Sequence, residues 1–89
     1  MIKAHIYFSG TVQGVGFRYT AQRYAIKIGL NGWVKNLVDG RVEMMVDGDK
    51  GKIEHLIENL KKHFGRYIQN CDVFYSGDIG GFTNFQIEH

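Results

Sequence analysis

The spacing of apolar residues alternates along this chain between a two-residue and a 3.6-residue period, and this alternation restricts the fold most strongly. Residues 3–9 alternate between apolar and polar side chains, which predicts a half-buried strand. From Tyr19 the apolar residues recur every three or four positions, which predicts a helix that ends at Gly29. The same period returns over residues 53–64 and predicts a second helix.

Four further strands are predicted by short apolar runs that lie between turn signals. Asn31-Gly32 is interpreted as the turn into the first of them, and Asp39-Gly40 as a two-residue hairpin turn. We expect Asp49 to cap the second helix and residues 76–81 to form a polar turn. The predicted strands cover residues 33–37, 41–46, 68–75 and 82–88.

The resulting order, β-α-β-β-α-β-β, predicts an α+β fold of the ferredoxin-like type. In this fold two helices pack on one face of a mainly antiparallel sheet of four or five strands, here βαββαβ with a short last strand. We expect one domain over residues 1–89. The first two strands should run parallel, so the loop after the first strand and the end of the second, at Asn36, should share one rim.

Composition narrows the classes of function. A net charge of +2 without Lys/Arg runs argues against a nucleic-acid partner. No apolar stretch approaches the roughly 20 residues that span a bilayer, and the first residues do not resemble a signal peptide, so we expect a cytoplasmic protein without membrane contact. We also expect a monomer. Cys71 is the single cysteine, and the four histidines do not combine with it or with acids at metal-ligand spacing. We expect no metal site.

The glycine-rich loop from Gly10 to Gly16 joins a strand to a helix and is a candidate anion site. The first amides of a helix have no intrahelical partner and carry partial positive charge. Gly14 and Gly16 permit the unusual backbone angles that let such amides converge on an anion. Arg18 adds a guanidinium group that can bind two phosphate oxygens together. A glycine-rich connection beside a surface arginine would show the same spacing.

Asn36, near a predicted strand end, is a second candidate. Its amide offers an acceptor and two donors and does not titrate, so it could orient a water molecule or contact a substrate. Asparagine is also common at the turn that follows a strand, so this position alone leaves both interpretations open.

Two longer patterns resemble the signatures of the acylphosphatase family. G-x-V-Q-G-V-x-F-R at residues 10–18 resembles the first, and G-W-V-x-N-x-x-D-G-x-V-E at 32–43 resembles the second. Family members often carry a proline between the second helix and the fourth strand, where this chain has none. The resemblance covers nearly the whole chain, although residues 47–80 match by pattern rather than by motif.

The resemblance implies a metal-independent hydrolase that needs no cofactor and converts a small acyl phosphate and water into a carboxylate and phosphate. It assigns phosphate binding to Arg18 and to a set of backbone amides, and positioning of the attacking water to Asn36. Inorganic phosphate should be both product and competitor. The amides that it assigns to the phosphate are those of Gln13, Gly14, Val15, Gly16 and Phe17.

Three other interpretations compete with this one, and missing motifs argue against two of them. A ferredoxin-like binding module without turnover is the main one, and the resemblance includes domains at the start of larger hydrogenase-maturation proteins, with carbamoyl phosphate as the implied substrate. Since this chain ends soon after its last strand, we expect a stand-alone enzyme. An RNA-recognition module would need an aromatic strand motif that is missing here. A metal chaperone would need a Cys-x-x-Cys pair.

Overall fold

The computed structural model describes residues 1–77 and 81–89, so part of the predicted turn at 76–81 lies outside the described residues. Its elements follow the predicted order, with one 3₁₀ turn added at Gly65–Tyr67. The strands and helices are β1 (Ile2–Gly10), α1 (Phe17–Ile28), β2 (Asn31–Asn36), β3 (Val42–Gly48), α2 (Lys50–Phe64), β4 (Ile68–Ser76) and β5 (Phe85–Glu88).

The strands form one sheet in the order β4-β1-β3-β2-β5. β3 runs antiparallel to both β1 and β2, and β1 runs antiparallel to β4, whereas β5 pairs with β2 in parallel. Because β1 and β2 are both antiparallel to β3, they run parallel to each other, as the sequence predicts. The ferredoxin-like α+β fold is therefore confirmed.

Both helices cover one face of the sheet, and the core lies between these two layers. Alternate side chains of β1 point into it, among them Ile6 and Phe8, which are completely buried. The Phe17 ring lies 4.8 Å from the Phe8 ring and 4.7 Å from the Phe64 ring, measured between ring centroids. The first residue of α1 is thus anchored to β1 and to the end of α2 by aromatic packing.

The helix ends agree with the prediction at Gly29 and differ at Asp49. Gly29 adopts the left-handed conformation (φ 95°), and its amide donates to the Ala25 and Ile26 carbonyls at 2.9 and 3.2 Å. Asp49 occupies the N-cap position of α2, but its side chain makes no capping hydrogen bond, so the predicted side-chain cap is wrong. None of the described helices is long and apolar enough to cross a bilayer.

The predicted turn at Asn31-Gly32 is wrong, because both residues already belong to β2. Gly32 has φ 148°, and a Cβ atom there would lie 1.9 Å from the Met45 carbonyl oxygen. This glycine permits a close approach of two strands rather than a chain reversal. The last strand is also shorter than predicted, since β5 begins at Phe85.

The hairpin between β2 and β3 is where the sequence predicts it. The hydrogen bond between Leu37 and Arg41 closes a loop of three residues, 38–40, rather than the two predicted. The Leu37 amide donates to the Arg41 carbonyl at 2.8 Å, and the Gly40 amide donates to the Leu37 carbonyl at 3.2 Å. The Asp39 carboxylate accepts from the Arg41 amide and guanidinium at 3.1 and 2.9 Å. These hydrogen bonds, the one from the backbone amide first, hold the pKa of Asp39 below its usual value.

Candidate active site

A cavity of about 260 Å³ opens at the rim where β1 gives way to α1 and where β2 ends. Three separate parts of the chain meet there: the loop before α1 with the first turn of that helix, the last residue of β2, and the C-terminal residues from Ile87 onwards. The residues that line it are Val12, Gly14, Gly16, Phe17, Arg18, Tyr19, Asn36, Ile87 and His89.

The loop before α1 contains backbone amides that have no backbone acceptor among the described residues. Gly14 and Gly16 both have φ 78°, a backbone conformation that residues other than glycine rarely adopt. Within residues 1–77 and 81–89, the amides of residues 13–17 donate no backbone hydrogen bond, and the first such bond of the helix runs from Thr20 to the Gly16 carbonyl at 3.1 Å. This stretch is therefore a row of available donors at the positive end of a helix.

Arg18 occupies the first turn of α1 and reaches across the cavity towards the sheet. Its Nη1 atom donates to the Glu88 carbonyl at 3.1 Å and lies 3.4 Å from Nδ1 of His89. These contacts hold the guanidinium group at the rim of the cavity that Gly14 and Gly16 also line. An anion in the cavity would face a fixed positive charge and the backbone donors together.

Asn36 is the last residue of β2 and lines the same cavity. Its Oδ1 atom is buried and has no hydrogen-bond partner among the described residues. Buried polar atoms are normally hydrogen-bonded, so this acceptor, in a residue of the cavity wall, is a group that an added donor could satisfy.

The structure brings together most of the residues that the sequence singles out. Arg18 and Asn36 line the same cavity although 18 positions separate them, as the topology predicts. Of the five amides assigned by resemblance, Gly14, Gly16 and Phe17 belong to residues that line it, whereas Gln13 and Val15 are not among them.

Sequence reasoning missed the contributions of Tyr19, Ile87 and His89 to the cavity wall. Tyr19 could have been found, because it follows Arg18 in the first turn of α1. The other two reach the rim only because β5 pairs in parallel with β2, with Ile87 opposite Val34. Nothing in the local sequence signals that pairing.

Other titratable groups lie away from the cavity. His5 pairs with Glu43 at 2.6 Å on the sheet face opposite the helices. Cys71 is half-buried against the core, and burial raises the pKa of its thiol, as is typical of a small packing residue. Across residues 1–77 and 81–89, no three His, Cys, Asp or Glu side chains cluster closely enough to hold a metal ion.

Sequence comparison finds one family along nearly all of the chain. The family model described as Acylphosphatase matches residues 4–87. An acylphosphatase of Anaeromyxobacter sp. (strain Fw109-5) is 47% identical over 93% of this chain and 94% of its own length. Acylphosphatases of Roseiflexus sp. and Thermococcus kodakarensis match over a shorter segment, which spans 61% and 62% of their own lengths.

Solved structures agree with this result. The crystal structure of acylphosphatase from Bacillus subtilis superposes with a TM-score of 0.93 at 37% identity, and the match covers 100% of both chains. The crystal structure of T. kodakarensis HypF matches with a TM-score of 0.84 at 34% identity, covering 100% of this chain but 12% of that one. The same architecture therefore occurs as a whole chain and as a small part of a larger protein.

Proposed function

Because this chain belongs to the acylphosphatase family, we propose that it hydrolyses the carboxyl–phosphate bond of small acyl phosphates. The proposal assigns binding of the phosphate group to Arg18 and the amides of residues 13–17. It assigns orientation of the attacking water to Asn36. All these groups come from one chain, so the reaction requires a single domain, residues 1–89, and no partner subunit.

The phosphate group would occupy the cavity between the loop before α1 and the Arg18 side chain. The amides of residues 13–17 donate to its oxygens, and the guanidinium group balances its charge. As bonds to phosphorus change, charge stays on these same oxygens, so the donors that bind the substrate also stabilise the transition state. Inorganic phosphate carries the same oxygens and should compete with the substrate.

The observation that carries the proposal is that Asn36, whose Oδ1 atom has no partner among the described residues, lines one cavity together with Arg18 and the loop before α1. An amide oxygen can accept one proton of a water molecule and leave that water's lone pair directed elsewhere in the cavity. Because Asn36 does not titrate, it would orient the water without removing its proton. Holding the water in line with the scissile bond lowers the entropic part of the barrier.

In the proposed reaction the water oxygen forms a new bond to phosphorus while the bond between phosphorus and the acyl oxygen breaks. The electron pair of that bond leaves with the carboxylate. One water proton passes to a phosphate oxygen of the substrate, so the products are the carboxylate and dihydrogen phosphate. A carboxylate is a good leaving group, hence the reaction needs no general acid, metal ion or cofactor.

Hydrolysis of benzoyl phosphate, followed by ultraviolet absorbance, tests this proposal. We expect the protein to exceed the spontaneous rate by a wide margin and to be unaffected by a chelator. Asn36→Ala should retain phosphate binding but lose about 10²-fold or more in kcat, because positioning of the water is worth about 3 kcal/mol.

Asn31→Ala is a matched control, since it removes the same amide from the other end of β2, outside the cavity. It should leave kcat within about threefold of the wild type. Folded protein that binds phosphate but shows no turnover would refute the enzyme proposal in favour of a binding module. Normal turnover by Asn36→Ala would refute the role assigned to that residue.

A further inference from the structure

The Gln13 side chain connects the loop before α1 to the hairpin that carries Asn36. Its Nε2 atom donates to the Leu37 carbonyl at 2.7 Å and to the Arg41 carbonyl at 2.9 Å. Both of its amide protons are therefore used, and both bonds cross from the loop to a different part of the chain. The side chain is half-buried, which protects these bonds from competition with water.

The two carbonyls that accept these bonds lie on either side of the hairpin loop. Leu37 directly follows Asn36, and the Arg41 carbonyl already accepts the Leu37 amide at 2.8 Å. The two hydrogen bonds from Gln13 therefore connect the loop before α1 to both sides of the hairpin at its base. The bond to Leu37 is formed next to Asn36, the residue of β2 that lines the cavity.

The cavity depends on this connection because its two sides belong to different elements. Gly14, Gly16 and Arg18 belong to the loop and α1, whereas Asn36 belongs to β2. Among the hydrogen bonds of residues 1–77 and 81–89, only those of Gln13 join residues 11–16 to the β2–β3 hairpin. In the described part of the chain, the Oδ1 atom of Asn36 has no hydrogen-bond partner that would fix its distance from the loop.

We propose that Gln13 is a positioning residue that sets the distance between the phosphate-binding loop and Asn36 through its two side-chain hydrogen bonds. This inference rests on the proposed function and extends it. The backbone amide of Gln13 belongs to the proposed phosphate site, but the side chain acts on the opposite side, through the hairpin. Without it, the water would lose its alignment with the bound phosphate group, while phosphate binding itself would change little.

Gln13→Met tests the inference, because methionine has a similar length and fills the same space without donating a hydrogen bond. We expect kcat for benzoyl phosphate to fall about tenfold or more, since sub-ångström misplacement of a reacting group has effects of this size. The inhibition constant of inorganic phosphate should change by less than about threefold, because the amides and Arg18 remain.

Gln22→Met is the matched control. The Gln22 side chain also donates to a backbone carbonyl, that of Phe85 at 3.1 Å, but it connects α1 to β5 and does not line the cavity. We expect its kcat to stay within about threefold of the wild type. If both variants lose turnover equally, loss of any such bond is enough and the specific role of Gln13 is refuted.

A double-mutant cycle with Asn36→Ala separates positioning from a general structural role. If Gln13 acts through Asn36, Gln13→Met should lower kcat little further once Asn36 is alanine. Effects that multiply in the double variant would overturn the inference. If Gln13→Met does not fold, Gln13→Asn keeps the amide but is one methylene shorter, and wild-type kcat in that variant would overturn the inference as well. Turnover missing from wild type and control alike would overturn the proposed function and, with it, this role.

Discussion

Arg18 and Asn36 meet at the same cavity but are held in different ways. Arg18 is fixed by the Glu88 carbonyl and by contact with His89, so its charge is in place before an anion binds. The Oδ1 atom of Asn36 has no partner among the described residues, so it is an acceptor that no described donor uses. Pre-positioned charge suits binding of a substrate, and an unused acceptor suits a group that acts only during the reaction.

Replacement of Arg18 should therefore affect binding as well as rate. We expect Arg18→Ala to weaken the affinity for inorganic phosphate by about 10²-fold, since charge-assisted hydrogen bonds contribute about 1.5–3 kcal/mol each. Arg18→Lys should recover little of this loss, because an ammonium group cannot reproduce the planar pair of donors. Calorimetric titration with phosphate measures both effects.

Arg23→Ala controls for the loss of positive charge from α1. Arg23 lies on the exposed side of the helix, with its guanidinium carbon 5.8 Å from the Tyr19 ring centroid, and it does not line the cavity. Its phosphate affinity should remain within about threefold of the wild type. Equal losses in Arg18→Ala and Arg23→Ala would mean that the net charge of the helix, rather than a specific contact, attracts the phosphate.

At the scale of elements, regular periodicity predicts both helices and the order of elements along the chain, but not the place of β5 beside β2 in the sheet. α2 is the best case, because its apolar residues at helical spacing are the ones that the structure buries. The start of β2 was not predictable, since Asn31-Gly32 is a common turn pair and the reason for Gly32 is the backbone of β3. A contact between strands leaves no signal in the local sequence.

The same difference applies to the site. Chain topology alone places Arg18 and Asn36 on one rim, so a sequence-based argument could reach that juxtaposition. The hydrogen bonds of Gln13 to the hairpin and the position of His89 depend on side-chain reach and on the pairing of β5 with β2. Both depend on tertiary contacts, which neither the composition nor the apolar periodicity of the sequence predicts.

Gly32→Ala should show how strongly β2 depends on that close approach. We expect it to lower the free energy of unfolding by about 3 kcal/mol or more, because the new Cβ would meet the Met45 carbonyl and the backbone angle would be strained. Gly40→Ala is the control: its φ of 94° is also strained, but no atom lies within 4 Å of the new Cβ. It should lower stability by about 1 kcal/mol. Denaturant unfolding compares the two, and similar losses would contradict the proposed steric cause.

At the scale of the whole molecule, the core and the cavity share residues. Phe17 lines the cavity with part of its surface while its ring packs between Phe8 and Phe64. Other parts of the wall come from Asn36 at the end of β2 and from Ile87 of β5, the last strand of the chain. Unfolding of either layer therefore removes part of the wall around the proposed phosphate site, so binding at the rim and folding of the core would be thermodynamically linked.

This linkage predicts that phosphate stabilises the native protein against heat. A ligand that binds only the folded state at about 100 times its dissociation constant adds about 2.7 kcal/mol, and for a domain of this size that raises Tm by about 10 °C or more. Phosphate also stabilises proteins generally, because it is excluded from their surfaces. The Arg18→Ala variant measures that general part, and its Tm should rise much less at the same phosphate concentration. Equal rises in the two proteins would mean that the stabilisation does not come from the Arg18 site.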